Sequence, residues 1–264
     1  MASQNIQHFF HPDSGTISYV VADQDTKEAI IIDPVANYDV KNDEISYESA
    51  QEIIDHIQLN QLHIVAILET HIHADHLSGS FYLSKELQAP IYVSEGVKEV
   101  YAQWKDELCL SELYHFEHYL LENEEMDFGN SHLEVIATPG HTQSDLTFKI
   151  GDALFVGDSL FFNGTGRADF PGGSAEKMFE SIRKLYELKD STEVYLCHDY
   201  PDKAEKLHYK TTIGDEKHDN ILVDENTSCQ QFVEKREGRD HQLTPPKLLK
   251  PALEFNLTAL HSLH

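Results

Sequence analysis

Apolar positions along this chain fall into short alternating or continuous runs, separated by stretches with a helical period. Thr16 to Ala22 and Ala29 to Asp33 read as two strands joined by the polar turn Asp23-Gln24-Asp25-Thr26-Lys27, and Asp33-Pro34 ends the second. From about Glu44 to Leu59 the apolar residues Ile45, Ile53, Ile54 and Ile57 share one side, which predicts a helix. Ile64-Val65-Ala66-Ile67-Leu68 has the length and β-branched content of a buried strand. Phe81 to Leu87 reads as a helix closed by Ala89-Pro90, and Ile91-Tyr92-Val93 as a short strand. Residues 95–118 are weakly patterned and predict a helix and an edge element, with Trp104 in a packing role. His132 to Ala137, Leu146 to Ile150, Ala153 to Val156 and Glu193 to Cys197 predict further strands. Ser174 caps a helix to about Leu188 that turns Met178, Ile182 and Leu185 inward. Beyond Tyr200 helices are expected from Lys206 to about Asp219 and from Ser228 to Arg239, followed by Thr244-Pro245-Pro246 and an irregular tail.

One polar stretch interrupts this pattern. Thr70-His71-Ile72-His73-Ala74-Asp75-His76-Leu77-Ser78-Gly79 follows directly on the buried strand and precedes a helix, so it sits on a loop at the carboxyl end of a core strand. Ligands and catalytic groups gather at such ends in sheets that carry helices on their faces. Imidazole and carboxylate suit zinc, iron(II) or manganese, and no thiolate cluster favours a closed structural site. His71 and His73 share one side of an extended segment, and Asp75 and His76 follow where the chain turns. His141, Asp158 and His198 each come just after another predicted strand. A lone histidine at a strand end is ordinarily a hydrogen-bonded turn residue. Several ligand-type residues at the ends of strands that can share one rim are better explained by a metal.

Composition narrows the function. Over 264 residues, 20 Lys and Arg against 46 Asp and Glu give a net charge of −26, which excludes a duplex or tRNA substrate because phosphate binding needs a basic face. An anionic small molecule stays open, since charges beyond about 8 Å are screened at physiological salt and one local cation can dominate. A hydrophobic fraction of 40% supplies a core for one large domain or a domain with an extension. No apolar run approaches membrane-spanning length, and the amino terminus has neither a basic start nor an apolar signal core. Cys109, Cys197 and Cys229, without CxxC spacing, suggest a reducing cytoplasm.

Taken together, His71-x-His73-x-Asp75-His76, Pro139-Gly140-His141-Thr142, Gly157-Asp158 and His198 resemble the metallo-β-lactamase superfamily over about residues 15 to 200. The resemblance implies an α+β fold, an αββα sandwich of two mixed sheets flanked by helices with the metal site at one edge. It also implies a catalytic domain over 1–200 and a helical or irregular extension, 201–264, packed on it. An acid at Asp158 departs from the exported β-lactamases, and His73 stands where flavodiiron proteins carry Glu. Two branches remain, the glyoxalase II thioester hydrolases and the persulfide dioxygenases. The glycine-rich loop Gly164-Thr165-Gly166-Arg167-Ala168-Asp169-Phe170 is similar to the Gly-x-Gly-Arg-x-Asp-Phe segment of the second, and Cys197-His198-Asp199-Tyr200 to its His-Asp-Tyr. Residues 201–264 do not reproduce the glutathione-holding helical domain of the first.

The dioxygenase resemblance implies one iron(II) per chain on His71, His141 and Asp158. His73, Asp75, His76 and His198 then surround it; Asp75, His76 and His198 act in catalysis. The implied substrates are O2 and glutathione persulfide or a similar small persulfide, oxidised to sulfite and thiol; a homodimer is left open, and no nucleic acid or membrane partner is expected. The hydrolase resemblance implies two zinc ions instead, with His73, Asp75, His76 and His198 among the ligands. Arg167 either meets a substrate carboxylate or braces the loop against Asp169; the brace is favoured because an Arg fork suits a carboxylate two residues away. Tyr200 either bonds substrate or fills the rim.

Overall fold

A computed structural model describes residues 4–201 and 206–260. The chain opens with β1 (Gln4–His11), β2 (Thr16–Asp23) and β3 (Glu28–Ile32), then a side hairpin of β4 (Val35–Asp39) and β5 (Glu44–Ser46). Next come α1 (Glu48–Asn60), β6 (His63–Leu68), β7 (Leu77–Ser78), α2 (Ser80–Leu87), β8 (Ile91–Ser94), α3 (Val97–Trp104) and β9 (His118–Leu120). β10 (Glu125–Phe128), β11 (Ser131–Ala137), β12 (Leu146–Ile150) and β13 (Ala153–Phe155) lead to α4 (Ala175–Tyr186), β14 (Glu193–Tyr195) and β15 (Lys210–Thr212). The chain finishes on α5 (Ile213–Asp219), α6 (Cys229–Asp240) and α7 (Leu249–Thr258).

Two six-stranded mixed sheets form, in the orders β1-β2-β3-β6-β8-β9 and β10-β11-β12-β13-β14-β15. Period-two alternation decides what lies between them. Ile17, Tyr19 and Val21 of β2 and Ile30 and Ile32 of β3 meet Leu133, Val135, Phe148, Ile150 and Phe155 of the second sheet. The alternate residues Val20, Ala22, Ala29 and Ile31 face outward onto Ile53, Ile54 and Ile57 of α1 and Leu83 of α2. On the far side Leu154, Val194 and Leu196 are covered by Met178, Ile182 and Leu185 of α4 and by Phe232 of α6. Helix, sheet, sheet, helix is therefore the layer order, an αββα sandwich. Among the described residues no helix is long and apolar enough to cross a membrane.

Several local expectations are corrected. The helix expected from Glu44 starts at Glu48, because Glu44–Ser46 pairs with β4 instead. β1, β4 and β10 carry many polar residues and were not predicted; β1 pairs only β2, at an edge where half-buried polar side chains are tolerated. Lys210–Thr212, expected in a helix, is a strand that pairs with β14, and only α5 of that segment is helical. The expected irregular tail holds α7, with Pro251 in its first turn, where a missing N–H costs nothing. Residues 202–205 and 261–264, part of the expected extension, lie outside the described residues.

Candidate metal centre

Four strand ends build the centre. β6 runs into Glu69–His76, β11 into Thr138-Pro139-Gly140-His141, β13 into a single 3-10 turn at Gly157–Ser159, and β14 into Leu196-Cys197-His198. The two sheets are stitched at this rim. Leu146 N–H donates to Thr70 O at 2.8 Å, and Ile17 N–H to Cys197 O at 2.7 Å. Gly157 needs its glycine: its φ is +51°, and a Cβ there would lie 2.7 Å from Thr70 Oγ1.

The structure brings His71, His73, Asp75, His76, His141, Asp158 and His198 to this rim. His71, His141 and Asp158 form one group, and His73, Asp75 and His76 another, each with ligand-type atoms within 4.8 Å of one another. His198 Nε2 stands 3.6 Å from Asp75 Oδ2 and 3.4 Å from Asp158 Oδ1, between the groups.

Most of these rings are held by one nitrogen. His71 Nδ1 is 3.0 Å from Thr70 Oγ1. His76 Nδ1 is 3.2 Å from Thr16 Oγ1, and His141 Nδ1 donates to Arg167 O at 2.8 Å. His73 Nε2 lies between Asp33 Oδ1 at 3.2 Å and Glu69 Oε2 at 3.3 Å. What remains is a set of buried atoms without a hydrogen-bond partner: His71 Nε2, His73 Nδ1, His76 Nε2 and Asp158 Oδ1 among them. A buried polar atom left unmade costs about 1–3 kcal/mol, so a cluster of them is explained only by a ligand. Nitrogen and carboxylate donors gathered at this rim fit a divalent transition metal, with His71, His76 and His141 each oriented by a bond at the other nitrogen.

Electrostatics differ from group to group: against its burial, the His73 ring is held well above its ordinary pKa by Asp33 and Glu69. Burial, helped by His73 and His141, holds the His71 ring well below its ordinary pKa, so it is neutral and ready to ligate. Burial pushes the Asp158 carboxyl up to about 7. Burial would also raise Asp33, but the His73 ring and two bonds from Thr70 outweigh it and hold that carboxyl below the usual range.

A cavity of about 860 Å3 opens over the site, walled by His76, His141, Asp158 and His198, by Phe161 and Phe170, and by the segment joining α6 to α7. Arg167 is engaged on three nitrogens. Nε and Nη2 grip the two oxygens of Asp169 at 2.6 and 2.8 Å, and Nη1 donates to Thr244 O at 2.9 Å. Its guanidinium covers Phe170, whose edge meets the His141 ring. Tyr200 is exposed at the cavity wall, its ring parallel to that of His198.

Sequence reasoning missed the groups behind the ligand-type residues. Asp33 accepts from Thr70 N and Oγ1, both at 2.7 Å, and Glu69 accepts from the hydroxyls of Ser78 and Ser80. Asn256 of α7 donates to His73 O and His76 O at 2.9 Å each and accepts from Ser78 N–H at 2.7 Å. Asp33 was legible only as a strand end. Asn256 gave no signal, because its partner loop lies some 180 residues earlier.

Comparison with known proteins places this geometry. The metallo-beta-lactamase superfamily profile matches residues 12–198, and the chain belongs to that superfamily. It is 36% identical over 263 residues to glyoxylase B2 of Dictyostelium discoideum, covering 96% of this chain and 90% of that one. It is 37% identical to a beta-lactamase hydrolase-like protein of Xylella fastidiosa, but spans only 60% of that longer protein. It is 30% identical to the mitochondrial persulfide dioxygenase ETHE1 of Bos taurus, over 86% of this chain and 78% of that one. Among solved structures, ETHE1 from Myxococcus xanthus superposes with a TM-score of 0.78 at 28% identity, covering 96% of this chain and 97% of that one. The two ETHE1 proteins among them support the ETHE1-like branch.

Two outcomes follow. Because Asp158 holds a proton up to about pH 7 in the metal-free protein, a metal must displace that proton, and affinity rises as pH climbs. One such proton makes zinc binding about tenfold tighter at pH 8 than at pH 6; calorimetric titration reads this, and a flat affinity would contradict it. Asn256→Ala strands two carbonyls and an N–H of the loop, costing about 2–4 kcal/mol in urea unfolding together with weaker zinc binding. If both stay at wild-type values, the loop holds itself.

Proposed function

We propose that this chain is a mononuclear iron persulfide dioxygenase, oxidising glutathione persulfide or a similar small persulfide to sulfite and thiol. The observation that carries the reading is the first donor group. His71, His141 and Asp158 gather as two imidazoles and one carboxylate, a set that leaves a coordination face open for substrates. Asp75 Oδ2 faces His76 Nδ1 at 3.3 Å, the Thr16 hydroxyl at 3.5 Å and His198 Nε2 at 3.6 Å, while Asp158 reaches His198 Nε2 at 3.4 Å and His141 Nε2 at 3.6 Å. The similarity to ETHE1 proteins supports the same reading.

Iron(II) in that group would supply the redox chemistry that joins dioxygen to the outer sulfur. The chain's own residues bind, orient and exclude. Phe161 and Phe170 press against His198 and His141 and keep water from the reacting sulfur. His76 and His198 turn polar edges toward the cavity, where they can hold the sulfur and its oxygens in line. The carrier lies along the outer wall. Arg167 and the buried Arg236 are tied to Asp169 and Asp240. Arg239 and Lys247, exposed and lining the mouth, are the cations that would meet the carrier's carboxylates. In a chain of net charge −26 these two cations make the local exception that an anionic substrate requires.

A second reading rests on the second group, His73, Asp75 and His76, and on the likeness to glyoxylase B2: a thioester hydrolase with two zinc ions. Metal content and an oxygen electrode on one sample separate the two. The dioxygenase holds about one iron per chain and consumes oxygen only with a persulfide, releasing sulfite. Two zincs per chain and thioester cleavage without oxygen uptake would establish the hydrolase. Arg239→Glu and Lys247→Glu should each raise KM for glutathione persulfide roughly fivefold with little change in kcat, the signature of lost uniform binding. Unchanged KM in both would move the carrier to another wall.

A further inference from the structure

The turn that follows Asp158 is held by a buried acid far along the chain. Phe161 N–H donates to Gly164 O at 2.9 Å and Gly164 N–H to Phe161 O at 3.0 Å, which closes a tight turn. Asn163 takes a φ of +54° in it, a conformation asparagine tolerates better than most residues. The Phe161 ring lines the large cavity with its edge toward His198, the two ring centroids 5.7 Å apart. Asn163 and Gly164 reach α5 and the bend after it. Asn163 N–H donates to Glu216 Oε1 at 3.2 Å, Asn220 Nδ2 donates to Gly164 O at 3.0 Å, and Ile221 N–H donates to Asn163 O at 3.3 Å. Asn220 Nδ2 also donates to Glu216 Oε2 at 2.7 Å, so the two grips are tied to each other.

Donor and acceptor roles are fixed here. Asn220 Oδ1 accepts from Leu222 N–H and Val223 N–H at 3.0 and 3.1 Å, so its amide nitrogen faces Glu216 and Gly164 O. Both oxygens of Glu216 therefore meet donors, and the Thr211 hydroxyl of β15 adds a third. Glu216 is fully buried. Burial, with help from Asp215 on the same helix, pushes its carboxyl up to about 7 against those donors. Tyr186 of α4 backs the arrangement, its hydroxyl donating to Glu216 O and Val223 O at 3.0 Å each; burial raises that phenol, so it stays neutral. The plain structural alternative is a residue that docks α5. Docking alone is met by an apolar side chain, without the cost of a buried acid. A carboxylate suits a place where every facing group is a donor, and one of those donors belongs to the turn that carries Phe161.

We propose that Glu216 and Asn220 are positioning residues that hold the 161–164 turn so that Phe161 walls the reacting end of the substrate beside His198. Both are buried and act through the backbone of the turn, not on the substrate. The inference rests on the proposed function only for where the reacting sulfur lies. A persulfide and a thioester each bring a sulfur to that wall, so the clamp serves either reaction.

The test uses the metal-loaded enzyme in whichever activity wild type displays, oxygen uptake with glutathione persulfide or cleavage of a glutathione thioester. Glu216→Gln turns an amide onto Asn163 N–H or Asn220 Nδ2. Asn220→Ser keeps an acceptor for the bend after α5 but leaves Gly164 O without its donor. Each variant should lower kcat at least about fivefold, with KM and metal content within about twofold of wild type. Phe161→Ala should show the same loss, and either variant added to it should lower kcat no further, because residues acting through one another are not additive. In the zinc-loaded protein, NMR should find the Phe161 and His198 rings in contact in wild type and apart in either variant. The Asn163 amide should titrate with Glu216 near pH 7 in wild type and not in Glu216→Gln. A kcat within about twofold of wild type in both variants, a further loss on top of Phe161→Ala, or an Asn163 amide that does not titrate would each overturn the clamp. The last is read on wild type and needs no variant to fold. A wild type that takes up no oxygen with persulfide but cleaves the thioester would instead overturn the dioxygenase reading, and the same variants then test the clamp in hydrolysis.

Discussion

The buried carboxylate of Asp33 holds the rim together. It sits where β3 ends, receives the backbone and hydroxyl of Thr70, lies against the far nitrogen of His73 and meets the thiol of Cys197. Two of these partners come from the loop after β6 and one from the segment after β14. A single acid thus ties together segments from both sheets. Desolvating it costs free energy, and the bonds around it offset that cost only if every partner is in place. The metal loop is therefore fixed from behind before any cation is added, and its nitrogens are aimed by bonds made at the opposite edges of the rings.

The carboxyl-terminal helices complete this support from the other side. Asn256 of α7 binds two carbonyls and one N–H of the metal loop. In α6, Arg236 is buried, pairs with Asp240 and donates to Thr165 O, while Asp240 accepts from Ala168 N–H. That ion pair is neutralised internally, and its outer bonds go to the backbone of the glycine-rich loop. The loop carrying Arg167 and Phe170 is thereby held over His141. Changes at Asn256, Arg236 or Asp240 therefore reach the candidate site through the loops they hold.

Charge is arranged by distance. The chain is strongly acidic as a whole, yet the cavity mouth carries Arg239 and Lys247, and the arginines deeper in are already paired. Screening beyond about a Debye length lets the local cations set the potential at the mouth while the remote acids repel polyanions.

The layer order followed from the family resemblance, while by itself the sequence determined most of the strands and helices and the identity of the ligand-type residues. Both are local signals: a period of two or 3.6 shows in a few residues, and His71, His73, Asp75 and His76 lie within six positions of one another. The recurrence of His141, Asp158 and His198 after predicted strands was enough to expect one rim. Tertiary structure alone decided the rest. Whether Lys210–Thr212 is strand or helix depends on β14 being there to pair with it. Whether Leu249–Thr258 is an irregular tail or a helix holding the metal loop depends on a partner far back along the chain. The role of Asp33 and the spacing of the donors are distances between remote segments. Such distances are set by packing of whole layers, and no short window of sequence contains them.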